Sequence, residues 1–397
     1  MDTIAGDEMQ RFLIAHEHES VEVLALSGKG VGNIPMPVIA NQLKCRQKAR
    51  HKLPTWHRTR GIVYPPSQNL EQSSSETTAR FKLQLARELN AHRIADLTAG
   101  FGVDSFFFSQ VAAVDAIEPN SDLAGVAQHN LGLLGATVRY HPTTAEAFLT
   151  DTANSFDLVF IDPSRRSSQQ QRVVRLAACE PDVTQLQTAI FGKAKYLLVK
   201  ASPLLDIQQG VRELAGVKSV YVVAVDNEVK ELLFLCERGY ADEPTIHAIN
   251  LGAHEQAPFV FSFSEERAAN ATYSSPLAFV LEPHAALLKA GAFKTLAQRY
   301  RLQKLAPHTH LYTCSHPLEN FPGRVFQILE QVKPDKKLSQ QFPEGRVNIL
   351  TRNYPLTVEQ LKQKTGLKEG GTLFLIGCSG VKEKYLMVAL RMPHTQS

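Results

Sequence analysis

The sequence predicts an α/β protein built on an open, mostly parallel sheet, and three stretches carry that prediction. Arg93-Ile-Ala-Asp-Leu-Thr-Ala-Gly-Phe-Gly-Val-Asp-Ser105 reads as a buried strand (Ile94 to Leu97), a glycine turn (Gly100, Gly102) and a helix opening near Val103. Such a unit is the first half of a βαβ nucleotide site. Ala113-Val-Asp-Ala-Ile-Glu118 is a short apolar run ending in an acid, followed by Pro119-Asn120 and a helical stretch. Phe156-Asp-Leu-Val-Phe-Ile-Asp-Pro-Ser-Arg-Arg166 has a fully apolar middle and closes on Asp162-Pro163.

The details of the glycine turn choose among ligands. A dinucleotide site wants G-x-G-x-x-G, whose third glycine brings helix and strand close around a pyrophosphate. Here the third position is not glycine, and Asp96 sits in the strand ahead of the turn. A carboxylate there repels a pyrophosphate and attracts an ammonium. S-adenosylmethionine carries an ammonium beside a sulfonium and no phosphate, so Asp-x-x-x-Gly-x-Gly favours it over NAD. A tight turn with no ligand is the plainer alternative. Against it stands Glu118, sixteen residues past Gly102, where an acid ending the second strand accepts bonds from both ribose hydroxyls.

At 397 residues the chain is too long for one compact domain. Hydrophobic content of 44% and charged content of 21% describe an ordinary globular protein. No apolar run reaches the length of a membrane helix, and the acidic Met1-Asp-Thr-Ile-Ala-Gly-Asp-Glu8 lacks the basic start of a secretory signal. Five scattered cysteines, with no C-x-x-C pair, point to reduced thiols in a cytoplasm and away from a metal site.

The elements follow in order. Residues 1–80 read as an N-terminal helical region broken by Gly and Pro between Gly28 and Pro37. From Asn41 to Arg60 there are seven basic residues and no acid, with Trp56 among them. Such a stretch either tracks a phosphate backbone and stacks a base or is a solvated helix face with Trp56 in the core. Ser73 and Glu76 have the spacing of a capping box. Residues 81–245 hold the main sheet. After Glu118 come strands at Thr137–His141, Phe156–Ile161, Tyr196–Ser202, Ser219–Val225 and Glu231–Cys236, the last antiparallel after a short link. Residues 246–324 and 325–397 read as two small α+β segments, with one helix expected from Ala285 to Tyr300. Residues 324–391 carry twelve Lys/Arg against six Asp/Glu.

Asp96 to Asp104, Glu118-Pro-Asn120 and Asp162-Pro-Ser-Arg-Arg166 resemble the motifs of class I S-adenosylmethionine-dependent methyltransferases. More narrowly, the chain is similar to a bacterial group that ends in a THUMP-like domain. Leu70 to Ala79 resembles that group's segment before the first strand, Glu282 to Gly291 and Phe321 to Arg324 its ferredoxin-like insert, and Ile349 to Pro355 its last domain. The resemblance implies a Rossmann-like seven-stranded methyltransferase sheet followed by ferredoxin-like and THUMP-like modules. It implies S-adenosyl-L-methionine as cofactor and an RNA acceptor. Its cofactor-binding positions fall on Asp96, Thr98, Gly100, Gly102, Asp104, Glu118, Pro119, Asn120, Thr144 and Asp162, with Thr144 where many relatives place an adenine-reading acid.

Chemistry is expected at the end of the fourth strand. Transfer from a sulfonium needs the acceptor held in line and its proton or charge removed. N-methylating relatives carry Asn/Asp-Pro-Pro-aromatic there, and this chain has Asp162-Pro163-Ser164-Arg165. Asp162 would orient a donor or take a proton, Pro163 shapes the turn, and Arg165 would stack on a base or clamp a phosphate. Transfer through a cysteine adduct is disfavoured, because Cys179 falls in an apolar helical run.

Overall fold

The computed structural model describes residues 1–26, 30–165, 175–252 and 257–393. The chain divides into two compact units, Met1–Ser219 with Glu231–Asp242, and Val220–Lys230 with Glu243–Ser397. The division passes through two consecutive strands.

In the first unit the expected strands form as β1 (Arg93–Asp96), β2 (Ala113–Ile117), β3 (Val138–His141), β4 (Phe156–Ile161) and β5 (Ala194–Ala201). They are followed by β6 (Val217–Val225) and β7 (Glu228–Glu237). β1 lies between β2 and β4 in parallel pairing, with β3 beyond β2 and β5 beyond β4. β7 pairs antiparallel with β5, Ala201 opposite Leu232. Because the chain fills one side of β1 and then crosses to the other, β1 and β4 flank the topological switch point, where ligands of open α/β sheets bind. The α/β class and the Rossmann-like sheet read from the sequence are thus the fold of this unit.

Four turns end in a side chain that caps the following helix, whereas the turn after β1 ends in Gly102 with no side-chain cap. Asn120, Thr144, Asp182 and Asp206 accept bonds from first-turn N–H groups, replacing donors that the helix leaves unpaired. The glycine turn is tied to both neighbours of β1: Leu97 N–H donates to the Phe160 carbonyl and Ala99 N–H to the Ile117 carbonyl, each at 2.9 Å.

The N-terminal helices depart from expectation in two places. The helix Met36–Lys52 starts inside the predicted Gly/Pro break, with Pro35 as its cap and Pro37 in its first turn, where a missing N–H costs nothing. The capping residue before β1 is Ser75 and not Ser73, since Ser75 accepts from Thr78 N–H and opens the helix Glu76–Glu88. Ser73 instead ends the preceding helix, donating to the Leu70 carbonyl at 2.8 Å. Glu76 turns away to accept from the backbone and hydroxyl of Thr55.

The second unit carries an eight-stranded sheet that runs through both stretches read as small modules. Phe279–Pro283 pairs antiparallel with Gly323–Gln331, which continues onto Lys384–Arg391 and Leu373–Ser379. The single helix expected from Ala285 to Tyr300 is two, Ala285–Ala290 and Phe293–Arg299. Gly291 divides them with φ of 82°, the left-handed conformation that ends helices. Strands at Thr245–Leu251, Gln303–Ala306, Thr309–Cys314 and Gly323–Gln331 had no clear alternation to reveal them. No helix among the described residues is long and apolar enough to cross a membrane.

Candidate cofactor and acceptor site

The switch point gathers three acids on adjacent strand ends. Asp96 closes β1, Glu118 follows β2 and Asp162 follows β4. Asp96 is buried, with Oδ2 accepting from the Ser105 hydroxyl at 2.6 Å and Oδ1 from Thr98 N–H at 3.2 Å. Burial above all, then the charges of Asp104 and Asp162, pushes its carboxyl up to about 7 against those two bonds. Glu118 is pinned at both oxygens, to Gly100 N–H at 3.1 Å and to Asn120 N–H at 2.8 Å. Burial raises its pKa, opposed by these N–H donors.

The two glycines of the turn do different work. A side chain at Gly100, with φ of 53°, would point into open space, its nearest neighbour the Thr98 carbonyl at 3.9 Å. That side of the turn is left clear for a ligand. Gly102 faces inward: a Cβ there would lie 2.3 Å from the Tyr140 hydroxyl, and its N–H already donates to the Ala99 carbonyl. Gly102 therefore serves the turn and its packing. Tyr140 touches the motif from β3, its hydroxyl buried and without a hydrogen-bond partner. Burial chiefly, with Asp96 and Glu118 adding, holds it far above the ordinary phenol range.

The Thr98 hydroxyl ties the turn to the end of β4 by accepting the Asp162 N–H at 2.7 Å. Pro119 is exposed beside Glu118. Asn120 and Thr144 are engaged as helix caps, with Thr144 accepting from Ala147 N–H at 3.2 Å. Asp104 points the other way, into a buried polar network. Pro163 is half-buried behind Asp162. Arg165 is placed by a two-residue pairing opposite Cys179; its side chain, like Arg166, lies outside the described residues. Cys179 is buried but sits in that extended pairing and not in a helix, which begins only at Val183 behind its cap Asp182. All five cysteines are free of disulfides.

Four further residues that sequence reasoning did not single out complete the site. Lys200 on β5 places Nζ 2.5 Å from Asp162 Oδ2. Lys82, 0% exposed, donates to both oxygens of Glu231 at 3.0 and 3.1 Å and to Ser74 Oγ at 3.0 Å. Its three N–H bonds so used, its 3.1 Å approach to Asp104 Oδ1 is Coulombic, while the Ser74 hydroxyl donates to the other Asp104 oxygen at 2.7 Å. Tyr140 is the fourth. The available signal was a charge inside an apolar run, as in Tyr196-Leu-Leu-Val-Lys200-Ala, since a buried charge requires a buried partner.

The basic stretch resolves toward structure. Trp56 is 0% exposed and packs near Phe101 and edge-on to Phe106, so it cannot stack on a base. Arg46 and His57 both hold Glu17, at 3.1 and 2.8 Å, Lys48 pairs with Glu71, and Lys52 donates to the carbonyls of Leu70 and Glu71. Lys44, Arg50 and Arg58 remain on the surface. In the second unit Glu282 is clasped by Arg324 and Arg352. Neither of two cavities among the described residues has a strand-end acid in its wall. One of about 570 Å³ includes Arg301, Gln303 and His316 in its wall, and one of about 340 Å³ lies beside β3 at His141, Phe148 and Asp151. Among the described residues no cluster of His, Cys, Asp or Glu could hold a metal ion.

The fold is that of a class I methyltransferase. Residues 279–322 match a ferredoxin-like domain family and residues 323–391 a THUMP domain-like family. The crystal structure of a protein from Porphyromonas gingivalis W83 described as a methyltransferase superposes with a TM-score of 0.83 at 32% identity, covering 97% of each chain. A protein of Rhizobium meliloti strain 1021 named as an uncharacterised RNA methyltransferase is 24% identical over 153 residues, 35% of this chain and 37% of its own length. The chain belongs to the bacterial class I S-adenosylmethionine-dependent methyltransferases that carry a C-terminal THUMP-like domain.

Proposed function

We propose that this protein binds S-adenosyl-L-methionine at the β1–β2 turn and methylates RNA, at a nitrogen or oxygen, by direct in-line transfer. The observation that carries the reading is the convergence of Asp96, Glu118 and Asp162 on three adjacent strand ends at the switch point. The residues present fit the cofactor. Asp96 offers a buried carboxylate to an ammonium, Gly100 leaves its face of the turn uncovered, and Glu118 is pre-oriented by two backbone donors for a pair of ribose hydroxyls. When bound, the cofactor supplies a methyl group on a sulfonium whose thioether leaves readily.

The chain supplies position and charge. Thr98 fixes the backbone of Asp162 against the turn, so the acceptor and the cofactor pocket share one rigid frame. Asp162 orients the acceptor or takes its proton. RNA as acceptor is supported by the THUMP domain-like match and by the name of the Rhizobium meliloti relative. Surface charge adds the excess of lysine and arginine in residues 324–391.

The test is calorimetric titration with S-adenosylhomocysteine, followed by transfer of labelled methyl to RNA from cells lacking this protein. Absence of binding removes the cofactor assignment. Binding with label entering protein or metabolites in place of RNA changes the acceptor. RNA affinity without transfer makes this an RNA-binding protein on a methyltransferase fold.

A further inference from the structure

Building on the RNA reading, we infer that the methylated atom is a hydroxyl oxygen, the ribose 2′-hydroxyl, held beside the paired carboxylate of Asp162 and ammonium of Lys200. The geometry starts from the 2.5 Å contact between Lys200 Nζ and Asp162 Oδ2 at the carboxyl end of β4. The Lys200 side chain is 13% exposed and that of Asp162 31%, so the carboxylate forms the open side of the pair. Beneath them Lys82 is locked between Glu231, Asp104 and Ser74. Two ammonium groups and three carboxylates thus form one polar cluster.

The sign of the charge selects the acceptor. A neutral amino nitrogen that attacks a sulfonium methyl becomes positive, and a fixed ammonium beside it opposes the reaction. A hydroxyl oxygen must shed its proton as it attacks and carries developing negative charge, which an ammonium stabilises. Chemistry balances within the pair: the oxygen–carbon bond forms as the carbon–sulfur bond breaks, the electron pair leaves on sulfur, and the hydroxyl proton passes to Asp162. Lys200 is not the base. Despite its burial, Asp162, Glu231 and Asp104 together hold its proton more tightly than usual. Lys82 and Glu231 are positioning residues, neutralising each other so that Lys200 faces Asp162. Each ribonucleotide offers this chemistry at its 2′-hydroxyl, the group that separates RNA from DNA.

The experiment transfers labelled methyl from S-adenosylmethionine to total RNA of cells lacking this protein, then hydrolyses the RNA in alkali. A 2′-O-methyl group blocks cleavage at its phosphodiester, so the expected label migrates in alkali-resistant dinucleotides. Label in mononucleotides overturns the hydroxyl assignment and leaves RNA methylation standing. No label in RNA overturns both. Lys200→Met should bind S-adenosylhomocysteine within about threefold of the parent and lose about a hundredfold or more in kcat, with Lys200→Arg restoring part of it. An unchanged kcat in Lys200→Met overturns the role of Lys200. Should Lys200→Met fail to fold, the parent's product chemistry still decides the acceptor.

Discussion

Lys200 Nζ lies 2.5 Å from Asp162 Oδ2, a contact between two strands' ends that sit 38 residues apart in sequence. It converts the Asp162-Pro163 turn from a lone acid into one half of a charge pair. Asp162→Asn keeps the shape and removes the negative charge. Cofactor affinity should stay within a few-fold of the parent while methyl transfer falls by about a hundredfold or more. Calorimetry with S-adenosylhomocysteine and single-turnover transfer separate the two; equal rates in both proteins would make Asp162 structural.

Asp96 predicts a pH dependence. With its carboxyl pushed up to about 7 in the free protein, the ionised form that attracts an ammonium is scarce at pH 6 and dominant at pH 8. S-adenosylhomocysteine affinity should therefore rise by roughly tenfold between them. Folding stability has the opposite trend. A carboxyl raised in the folded state binds an extra proton between the unfolded value near 4 and about 7, so its contribution is lost as pH rises through that window. Asp96→Asn should thus unfold at a higher temperature than the parent at pH 8 while losing the cofactor. A lower melting temperature there would contradict the burial penalty.

The two glycines of the turn should separate in a stability assay. Gly102→Ala meets the Tyr140 hydroxyl and needs a left-handed backbone at φ of 83°, so a cost of about 2–4 kcal/mol is expected in urea unfolding. Gly102→Ala with Tyr140→Leu should recover part of it. Gly100→Ala, in open space at φ of 53°, should cost about 1 kcal/mol and be felt mainly in cofactor affinity. Similar losses of stability in both single variants would show that strain, and not Tyr140, sets the cost.

Lys82 is the fourth case. Lys82→Met strands Glu231 and Asp104 without their cation, and a destabilisation of about 3–5 kcal/mol should follow. Lys82→Met with Glu231→Leu should recover part of that loss, since Asp104 is then the one carboxylate left without its cation. Denaturant midpoints of the three proteins check the coupling; additive effects would mean that the bidentate contact contributes little.

The sequence by itself determined the order of elements in the first unit and the positions of its strand-end acids. Alternation of apolar strands with capped helices is a local pattern, and β1, β2, β4 and their acids follow from it because a parallel sheet has one end where ligands meet. The same locality explains what went unread. Ser75 and not Ser73 caps a helix because a short helix ends just before it, and Trp56 is buried because Phe101 of the turn and Phe106 of the helix after it pack against it. Only the tertiary structure decided which charges meet. Lys82 and Glu231 are 149 residues apart, and neither has neighbours in the chain that reveal its partner. Burial makes such a charge tolerable only with an opposite partner, and the partner is chosen by the sheet that brings β7 beside β5, not by anything near either residue in the chain.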